Sequence, residues 1–314
     1  EILLVAGKGH EKIQDYGNKI INFSDQKVIK EIIRKNRFSY KQNNWSNFIV
    51  KKTFNNTGLK NLSYNGVSIN SKTTKKNNLF FAIKGENVDG HKFVKEAIKK
   101  GAIKSVISKK VKQLPKNKSI LVKNTFTSLN DLARATRDNT LARIIGITGS
   151  VGKTTLKNLI GFSLKYYGKV YNSPHSYNNK FGVPFSLSNL KNNNKYGVFE
   201  IGMDKKGEIY NLSKIVKPEL AVITNISQAH IKNFKNIKDI AKAKAEIIDN
   251  ITEDGTIILN KDDKFFNFFS RIAKRRKINV ISFSCKKKAD IALSNIKKNK
   301  SYYILKINVK NKIF

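Results

Sequence analysis

Residues 143–155 read RIIGITGSVGKTT: an apolar run, a turn bracketed by Gly149 and Gly152, then Lys153, Thr154 and Thr155. A strand that runs into a glycine turn and restarts as a helix points several backbone N–H groups at one spot. The helix dipole favours negative charge there as well. From such a loop a lysine at 153 reaches terminal phosphates, and a hydroxyl at 154 suits Mg2+. The stretch departs from G-x-x-x-x-G-K-[ST], because Ile147 stands where the first glycine belongs. Further features follow at the ends of later apolar runs, where open α/β sheets bind ligands. Glu200 closes YGVFE, His230 follows VITNISQA, and Asn260 with Asp262 and Asp263 follows GTIIL. Singly, each has a plainer explanation: a strand-end charge, a surface histidine, a turn. Together, behind a phosphate loop, they suit metal and nucleoside ligands. A carboxylate beside the Thr154 hydroxyl fits Mg2+, which takes oxygen ligands and keeps water, whereas His230 is a less usual partner for it. Lys242 and Lys244 in AKAKAEI stand among 54 lysines, and composition alone reads them as solvent-facing.

The elements that must position these residues can be read from periodicity. ARIIGIT, YGVFEIG, ELAVITN and GTIILN read as strands, and KTTLKNLIGFSLKYY and NIKDIAKAKAEIIDN as helices, after a helix over TSLNDLARATRDN. Short, wholly apolar strands separated by helices argue for a parallel sheet covered on both faces. Upstream, GVSI, NLFFAIKG and SVIS are short strand-like runs interrupted by the helix-like HKFVKEAIKKGA, which makes a small mixed α/β module. Further upstream, ILLVA (2–6) reads as a strand and SDQKVIKEIIRK (24–35) as a helix, followed by a polar linker. The terminal SYYILKINVKNKIF has a strand pattern with no closing element, and the first residues carry no signal-type segment.

The 314 residues suggest two or three domains. No apolar run reaches about 18 residues, so no transmembrane helix is expected. One cysteine, Cys285, excludes an intrachain disulfide and fits a reducing compartment, hence a cytoplasmic location. The net charge of +40 raises the question of nucleic acid. The excess is spread along the whole chain and comes almost entirely from lysine, with eight arginines. Sequence-specific readers favour the bidentate fork of arginine. An even excess of Lys, Asn, Ile and Phe reads instead as the drift of an AT-rich genome. It predicts only weak, salt-sensitive, sequence-blind DNA binding.

The residues quoted above, with their neighbours, carry a resemblance. IIGITGSVGKTT, NNKFGVPFSL, VFEIGMDKKGEI, ITNISQAHIKNFKNIKDIAKAKAEI and ILNKDD resemble, in order and spacing, the central ATPase domain of the Mur ligases. GVSINSK and NLFFAIKGENVDGHKFVKEAIKKGA look like the N-terminal UDP-binding domain of the MurF type. That family uses a shorter loop, T-G-x-x-G-K-T, so the resemblance makes Ile147 the expected residue. Residues 1–37 resemble instead the extreme C-terminus of a MurE-type ligase, with Gly7 and Glu11 at positions that bind the third amino acid in that family. The implied organisation is a MurE-type tail (1–37), a MurF-type UDP-substrate domain (38–125) and an incomplete ATPase domain (126–314), truncated at both ends.

The resemblance implies ATP-dependent amide formation in peptidoglycan precursor synthesis: a UDP-MurNAc-tripeptide carboxylate becomes an acyl phosphate, which the amine of D-alanyl-D-alanine displaces. It implies that Gly149, Ser150, Val151, Gly152, Lys153, Thr154 and Thr155 hold the phosphates, and that Asn260 and Asp263 face the adenosine. By the same resemblance Thr154, Glu200, His230 and Lys244 surround about two Mg2+ ions, with Lys244 a candidate for a carbamate. Lys153, Lys244, His230 and Glu200 become the catalytic set. Asn178 and Asn179 are implied near the substrate, and Ser71, Lys72, Gly85, Asp89 and His91 at the uridine diphosphate. The family commonly has arginine where Lys72 stands, so here a point charge replaces a fork. The isolated chain is expected to bind weakly and not to ligate. No specific nucleic acid and no membrane insertion are expected. Another ligase of the superfamily (MurE-type or folylpolyglutamate synthase-like), a nucleic-acid-dependent P-loop ATPase and a non-catalytic remnant are the alternatives.

Overall fold

The computed structural model describes residues 13–15, 20–22, 45–54, 62–228, 233–309 and 312–313. It divides into two units, Glu1–Trp45 and Ser46–Phe314. In the first unit, β1 (Ile13–Asp15) pairs antiparallel with β2 (Ile20–Asn22), Ile13 opposite Asn22. The strand expected over 2–6, the helix expected over 24–35, and Gly7 and Glu11 lie outside the described residues.

All of α1 (Trp45–Thr53) but Trp45 belongs to the second unit, which then builds a four-stranded sheet. Its strands are β3 (Gly66–Ser68), β4 (Asn78–Phe81), β5 (Lys104–Ile107) and β6 (Ser119–Leu121). They lie in chain order and run parallel throughout. Parallel neighbours need crossovers. One of these holds a 3-10 turn, Gly90–Phe93, that runs into α2 (Val94–Lys99). Phe80, Ala82, Val94, Ala97, Ala102 and Ile107 form the core under that helix.

After α3 (Thr125–Asn139), capped by the Asn124 side chain, a nine-stranded sheet begins. Its first strand is β7 (Arg143–Thr148), followed by α4 (Lys153–Leu164), β8 (Val170–Asn172), α5 (Gly182–Ser188) and β9 (Tyr196–Glu200). Next come α6 (Glu208–Val216), β10 (Leu220–Ile223), α7 (Ile237–Ala245) and β11 (Thr256–Asn260). The last elements are α8 (Phe266–Arg275), β12 (Asn279–Ser284), β13 (Ile291–Lys298), β14 (Tyr303–Val309) and β15 (Lys312–Ile313). The order is β15-β14-β13-β12-β11-β10-β7-β9-β8. From β8 to β13 all pairings are parallel, as the apolar runs predicted, and β14 and β15 add an antiparallel edge.

The alternation of a strand places its two sets of side chains on opposite faces. Ile145, Ile147, Val198 and Val222 face Leu156, Ile160 and Leu164 of α4. On the other face Ile144, Phe199, Ile201 and Ile223 pack with Val183 and Leu187 of α5, Leu212 of α6 and Ile240 of α7. The chain leaves β7, fills β9 and β8 on one side and then β10 and β11 on the other. The crevice at the carboxyl ends of β9, β7 and β10 is therefore the switch point where a sheet of this kind binds ligands.

The two sheets are joined by side chains that imitate backbone. Asn189, just past α5, accepts from Val67 N–H at 2.8 Å and donates to Val67 C=O at 3.2 Å. Gly66 makes room for it, since a Cβ there would lie 2.8 Å from Asn189 Oδ1. Lys191 donates to the Asn65 carbonyl at 2.8 Å, and Lys180 reaches Glu86 at 3.4 Å.

Candidate functional site

Two glycines make the turn after β7. Gly149 has φ +143° and Gly152 φ +83°, both left-handed values that favour glycine. At Gly149 space adds to torsion, because a Cβ would sit 1.9 Å from Thr224 Oγ1. Residues beyond β10 hold the turn. Ser150 N–H donates to Asn225 C=O at 2.9 Å, Val151 N–H to Asn225 Oδ1 at 3.2 Å, and Thr224 Oγ1 to Val151 C=O at 2.7 Å. Ser150 Oγ accepts from Ser227 N–H at 3.0 Å. Thr224, Asn225 and Ser227 are thus loop-shaping residues that reading the sequence missed. The polar residues of TNIS (224–227), directly after an apolar strand, were the signal.

Two lysines close on this turn. Lys153 donates to the carbonyls of Gly149 at 2.9 Å and Ser150 at 3.2 Å. Lys244, on α7, donates to the same Gly149 carbonyl at 2.9 Å and is 1% exposed. Burial pushes Lys244 down to about 7, and the neighbouring Lys153 pushes it the same way. Burial also lowers Lys153, opposed by the Glu200 carboxylate. Composition read Lys244 as a solvent lysine; the structure buries it, and only the resemblance had marked it out.

Glu200 ends β9 and is likewise 1% exposed. Its Oε2 accepts from Thr154 Oγ1 at 2.7 Å and its Oε1 from Asn178 Nδ2 at 2.8 Å. Ahead of α5, Asn179 Oδ1 accepts from Phe181 N–H at 3.1 Å and Gly182 N–H at 2.9 Å. Lys153, Lys244, Asn178 and Asn179 line one cavity of about 450 Å³, with Glu86, Asn87 and Lys180 at its mouth. Thr154 and Thr155 line a neighbouring outer groove with Leu159 and Phe162, and Val151 is exposed. His230 lies outside the described residues. Among the described residues no three His, Cys, Asp or Glu side chains gather into a metal cluster. A single carboxylate beside a hydroxyl still fits Mg2+, which takes the rest of its oxygens from phosphates and water.

At the end of β11, Asn260 Oδ1 accepts from Asp262 N–H at 2.9 Å in a tight turn. Asp263 accepts from Ile226 N–H at 2.7 Å and Phe265 N–H at 2.8 Å. It therefore ties the loop after β10 to the start of α8.

A second cavity, about 510 Å³, lies between the two sheets. Ser71, Lys72 and Gly85 line it with Phe80, Phe93 and Tyr177, and it shares Asn179 and Phe181 with the first. Ser71 Oγ is turned to Glu96, donating at 2.9 Å. Asp89 and His91 do not line it. Asp89 caps its 3-10 turn by accepting from His91 N–H at 3.0 Å, and Lys109 donates to its other oxygen at 2.6 Å. Ser108 N–H donates to His91 Nε2 at 2.9 Å, so the ring proton sits on Nδ1 and goes to Asp89 at 2.6 Å. Lys109, with help from His91, holds the Asp89 carboxyl well below the usual carboxylate range. These two residues form a strut behind the Gly85–Val88 turn.

Residues 63–142 match the family described as Mur ligase family, catalytic domain, and residues 147–314 the Mur ligase middle domain. The UDP-N-acetylmuramoyl-tripeptide–D-alanyl-D-alanine ligase of Rickettsia prowazekii (strain Madrid E) is 40% identical over 230 residues, which is 73% of this chain and 51% of that protein. The enzyme of that name from Bacillus subtilis (strain 168) is 37% identical over 216 residues, 68% of this chain and 47% of that one. A crystal structure of MurF from Acinetobacter baumannii superposes with TM-score 0.75 at 26% identity, over 86% of this chain and 58% of that chain. The MurF ligase of Thermotoga maritima in complex with ADP gives TM-score 0.68 at 28% identity, over 82% of this chain and 58% of that chain. The chain spans about half the length of the curated relatives it matches.

Proposed function

This chain belongs to the Mur ligase family, and from that premise we propose that it is the substrate- and nucleotide-binding portion of an ATP-dependent ligase joining D-alanyl-D-alanine to UDP-MurNAc-tripeptide. The observation that carries the reading is the convergence of Lys153 and Lys244 on the single Gly149 carbonyl, 2.9 Å from each. Two lysine Nζ groups donating to one carbonyl oxygen at the wall of a cavity fix both side chains beside the turn, which has the backbone of a phosphate cradle, with Lys153 as its cation. Residues 149–155 would hold ATP phosphates, with Lys153 on the terminal ones. Thr154 and Glu200 would hold Mg2+, whose charge offsets that of the transferring phosphoryl group.

The tripeptide carboxylate attacks the γ-phosphorus and ADP leaves. The amine of D-alanyl-D-alanine then attacks the acyl phosphate, and phosphate leaves. The chain's part is to align these groups and exclude water. Asn178 fixes Glu200 from the substrate side, and Asn179 shapes the wall shared by the two cavities. The Lys244 amine, held down to about 7, is available in its neutral form; that amine would take up CO2 with loss of one proton, giving an anionic carbamate whose oxygens would serve as metal ligands. His230 is assigned to a second metal ion, and Asn260 and Asp263 to the adenosine end. Ser71, Lys72 and Gly85 are assigned to the uridine diphosphate, with Asp89 and His91 behind them.

In this reading residues 38–125 bind the UDP-substrate and residues 126–314 the nucleotide. Residues 1–37 are the tail of a MurE-type domain on the same polypeptide. The protein works in the cytoplasm; among the described residues no helix is long and apolar enough to cross a membrane. In this reading the chain binds nucleotide, and ligation is assayed in the full-length protein. The test is phosphate release. Full-length protein should release phosphate only when UDP-MurNAc-tripeptide and D-alanyl-D-alanine are both present, and Lys153→Ala should abolish this. Release stimulated by DNA or RNA instead, or robust D-alanyl-D-alanine-dependent release by the 314-residue chain alone, would sink the reading. Intact-mass measurement of the native protein decides the fusion.

A further inference from the structure

Among the described residues Lys157 is one of the largest fully buried side chains, at 1% exposure. A lysine is almost never so buried unless its charge is matched. It stands one turn beyond Lys153, on the same face of α4. Its ammonium donates to the carbonyl of Ser173 at 2.8 Å and also to that of His175. Glu200 Oε2 lies 3.9 Å away, with both side chains essentially out of solvent. His175 holds φ +44°, a left-handed conformation uncommon outside glycine, which persists only where its surroundings fix it. The segment it bends runs three residues on to Asn178, whose amide holds Glu200. At the start of the segment Ser173 is tied to β9: its N–H donates to Val198 C=O at 2.9 Å, and its hydroxyl accepts from Glu200 N–H at 3.3 Å.

Resting on the ligase reading above, we propose that Lys157 is a positioning residue for the phosphate–metal corner. It clamps the 173–178 segment onto α4 and balances the Glu200 carboxylate, so that Thr154, Glu200 and Asn178 keep one arrangement. Removing the ammonium leaves a buried carboxylate without its nearest cation and two carbonyls without a donor. Both are costly in a dry site. Lys157 does not reach the cavity, so its effect falls on Mg2+ rather than on the nucleotide itself.

The test compares ADP binding with and without Mg2+ by calorimetry, in wild type, Lys157→Met and Lys157→Gln. The metal-free affinity should be unchanged, while the gain from adding Mg2+ should fall about 10–100-fold in Lys157→Met, the usual cost of losing a residue that orients a metal ligand. Lys157→Gln, which still donates hydrogen bonds but carries no charge, should recover part of the gain. An undiminished Mg2+ gain in either folded variant overturns the proposal. If Lys157→Met does not fold, the double variant Lys157→Met/Glu200→Gln removes both buried charges and should restore the fold; failure to do so overturns the charge balance. If wild type itself binds no ADP, the nucleotide reading fails instead, and the two failures stay distinct.

Discussion

The two cavities of the second unit are built on opposite electrostatic plans. Around the first, Glu200, Lys244 and Lys157 are charged groups at 1% exposure, each held by few partners. Around the second, the charges cancel among themselves: Asp89, His91 and Lys109 bond to one another behind the wall. That cavity is lined by neutral polar and apolar side chains, Asn70, Ser71, Asn179, Phe80 and Phe93 among them, and Lys72 is its one charged lining residue among the described residues. A dry site with unspent charge makes electrostatics strong where phosphoryl transfer needs it. A wall whose charges are already satisfied offers shape and hydrogen bonds, which suits recognition of a substrate's handle. Changes at the first site should therefore act on chemistry, and changes at the second on stability and affinity.

The largest effect is expected at Gly149. Alanine there needs φ +143° and a Cβ 1.9 Å from Thr224 Oγ1. Strain and overpacking together amount to about 2–6 kcal/mol. Gly149→Ala should lose detectable ADP binding in calorimetry while the melting of the four-stranded sheet is spared. Gly152→Ala has open space around its Cβ and only the torsion to bear, so it should lose less. Equal losses in the two variants would show that backbone freedom alone, and not the contact with the β10 loop, shapes the cradle.

Glu200→Gln comes next. It keeps the shape and removes the charge that Thr154 and Asn178 hold in place. Ligation by the full-length protein should fall about 10²–10³-fold, the scale for losing one preorganised electrostatic group. ADP binding without metal should stay near wild type, and a chelator should no longer weaken it. A variant that loses metal-free binding as well would mean that Glu200 supports the loop rather than the ion.

How much of this was legible in the sequence differs between the two regions. The loop was, because Gly149, Gly152, Lys153 and Thr154 act through local geometry that a short pattern encodes. The apolar runs at 143–148, 196–200, 220–223 and 256–260 were, because buried parallel strands carry no polar alternation to confuse them. The seven residues of α5 contain Gly182, Pro184 and two serines, a composition that hides a helix held by tertiary burial rather than propensity. Strand β8 is three residues long, below any periodic signal. Lys157 was hidden among 54 lysines, since nothing in a single sequence separates a buried lysine from a solvated one. Asp89 and His91 were marked only through the resemblance, as residues at the uridine diphosphate. That they would bond to each other was not legible, because Lys109 and Ser108 arrive from the end of β5.

Lys244 gives a smaller and more diffuse effect. Its folded value of about 7 lies below the value of an unfolded lysine, about 10.4. Between those limits the unfolded chain holds more protons, so stability rises with pH across that window. Below about pH 7 the full cost of the buried ammonium is present, and above about pH 10 it is gone. The swing is about 2–3 kcal/mol once relaxation around the ammonium is allowed for. Lysine charge elsewhere also titrates near the top of this range, so the measurement is the difference between wild type and Lys244→Met in thermal melts from pH 6 to 9.5. Wild type should gain on the variant as pH rises. A flat difference would place Lys244 among satisfied lysines and weaken the contrast between the two sites.

The smallest effect tests the other side of that contrast. Asp89→Asn keeps an oxygen to cap the Gly90–Phe93 turn but cannot pair with the Lys109 ammonium, which is 62% exposed. A partly solvated pair of this kind is worth about 0.5–1 kcal/mol. The sign follows from Asp89 being held low: its contribution is present above about pH 4 and is lost as pH falls toward the depressed folded value. The melting gap between wild type and Asp89→Asn should thus be constant from pH 8 to 5 and close in acid. Because Asp89 stands behind the wall, affinity for a UDP-linked substrate should change less than about fivefold, the most that one such pair supports. A loss of a hundredfold or more would mean that Asp89 releases Lys109 and turns to the ligand, and the second site would then hold unspent charge like the first.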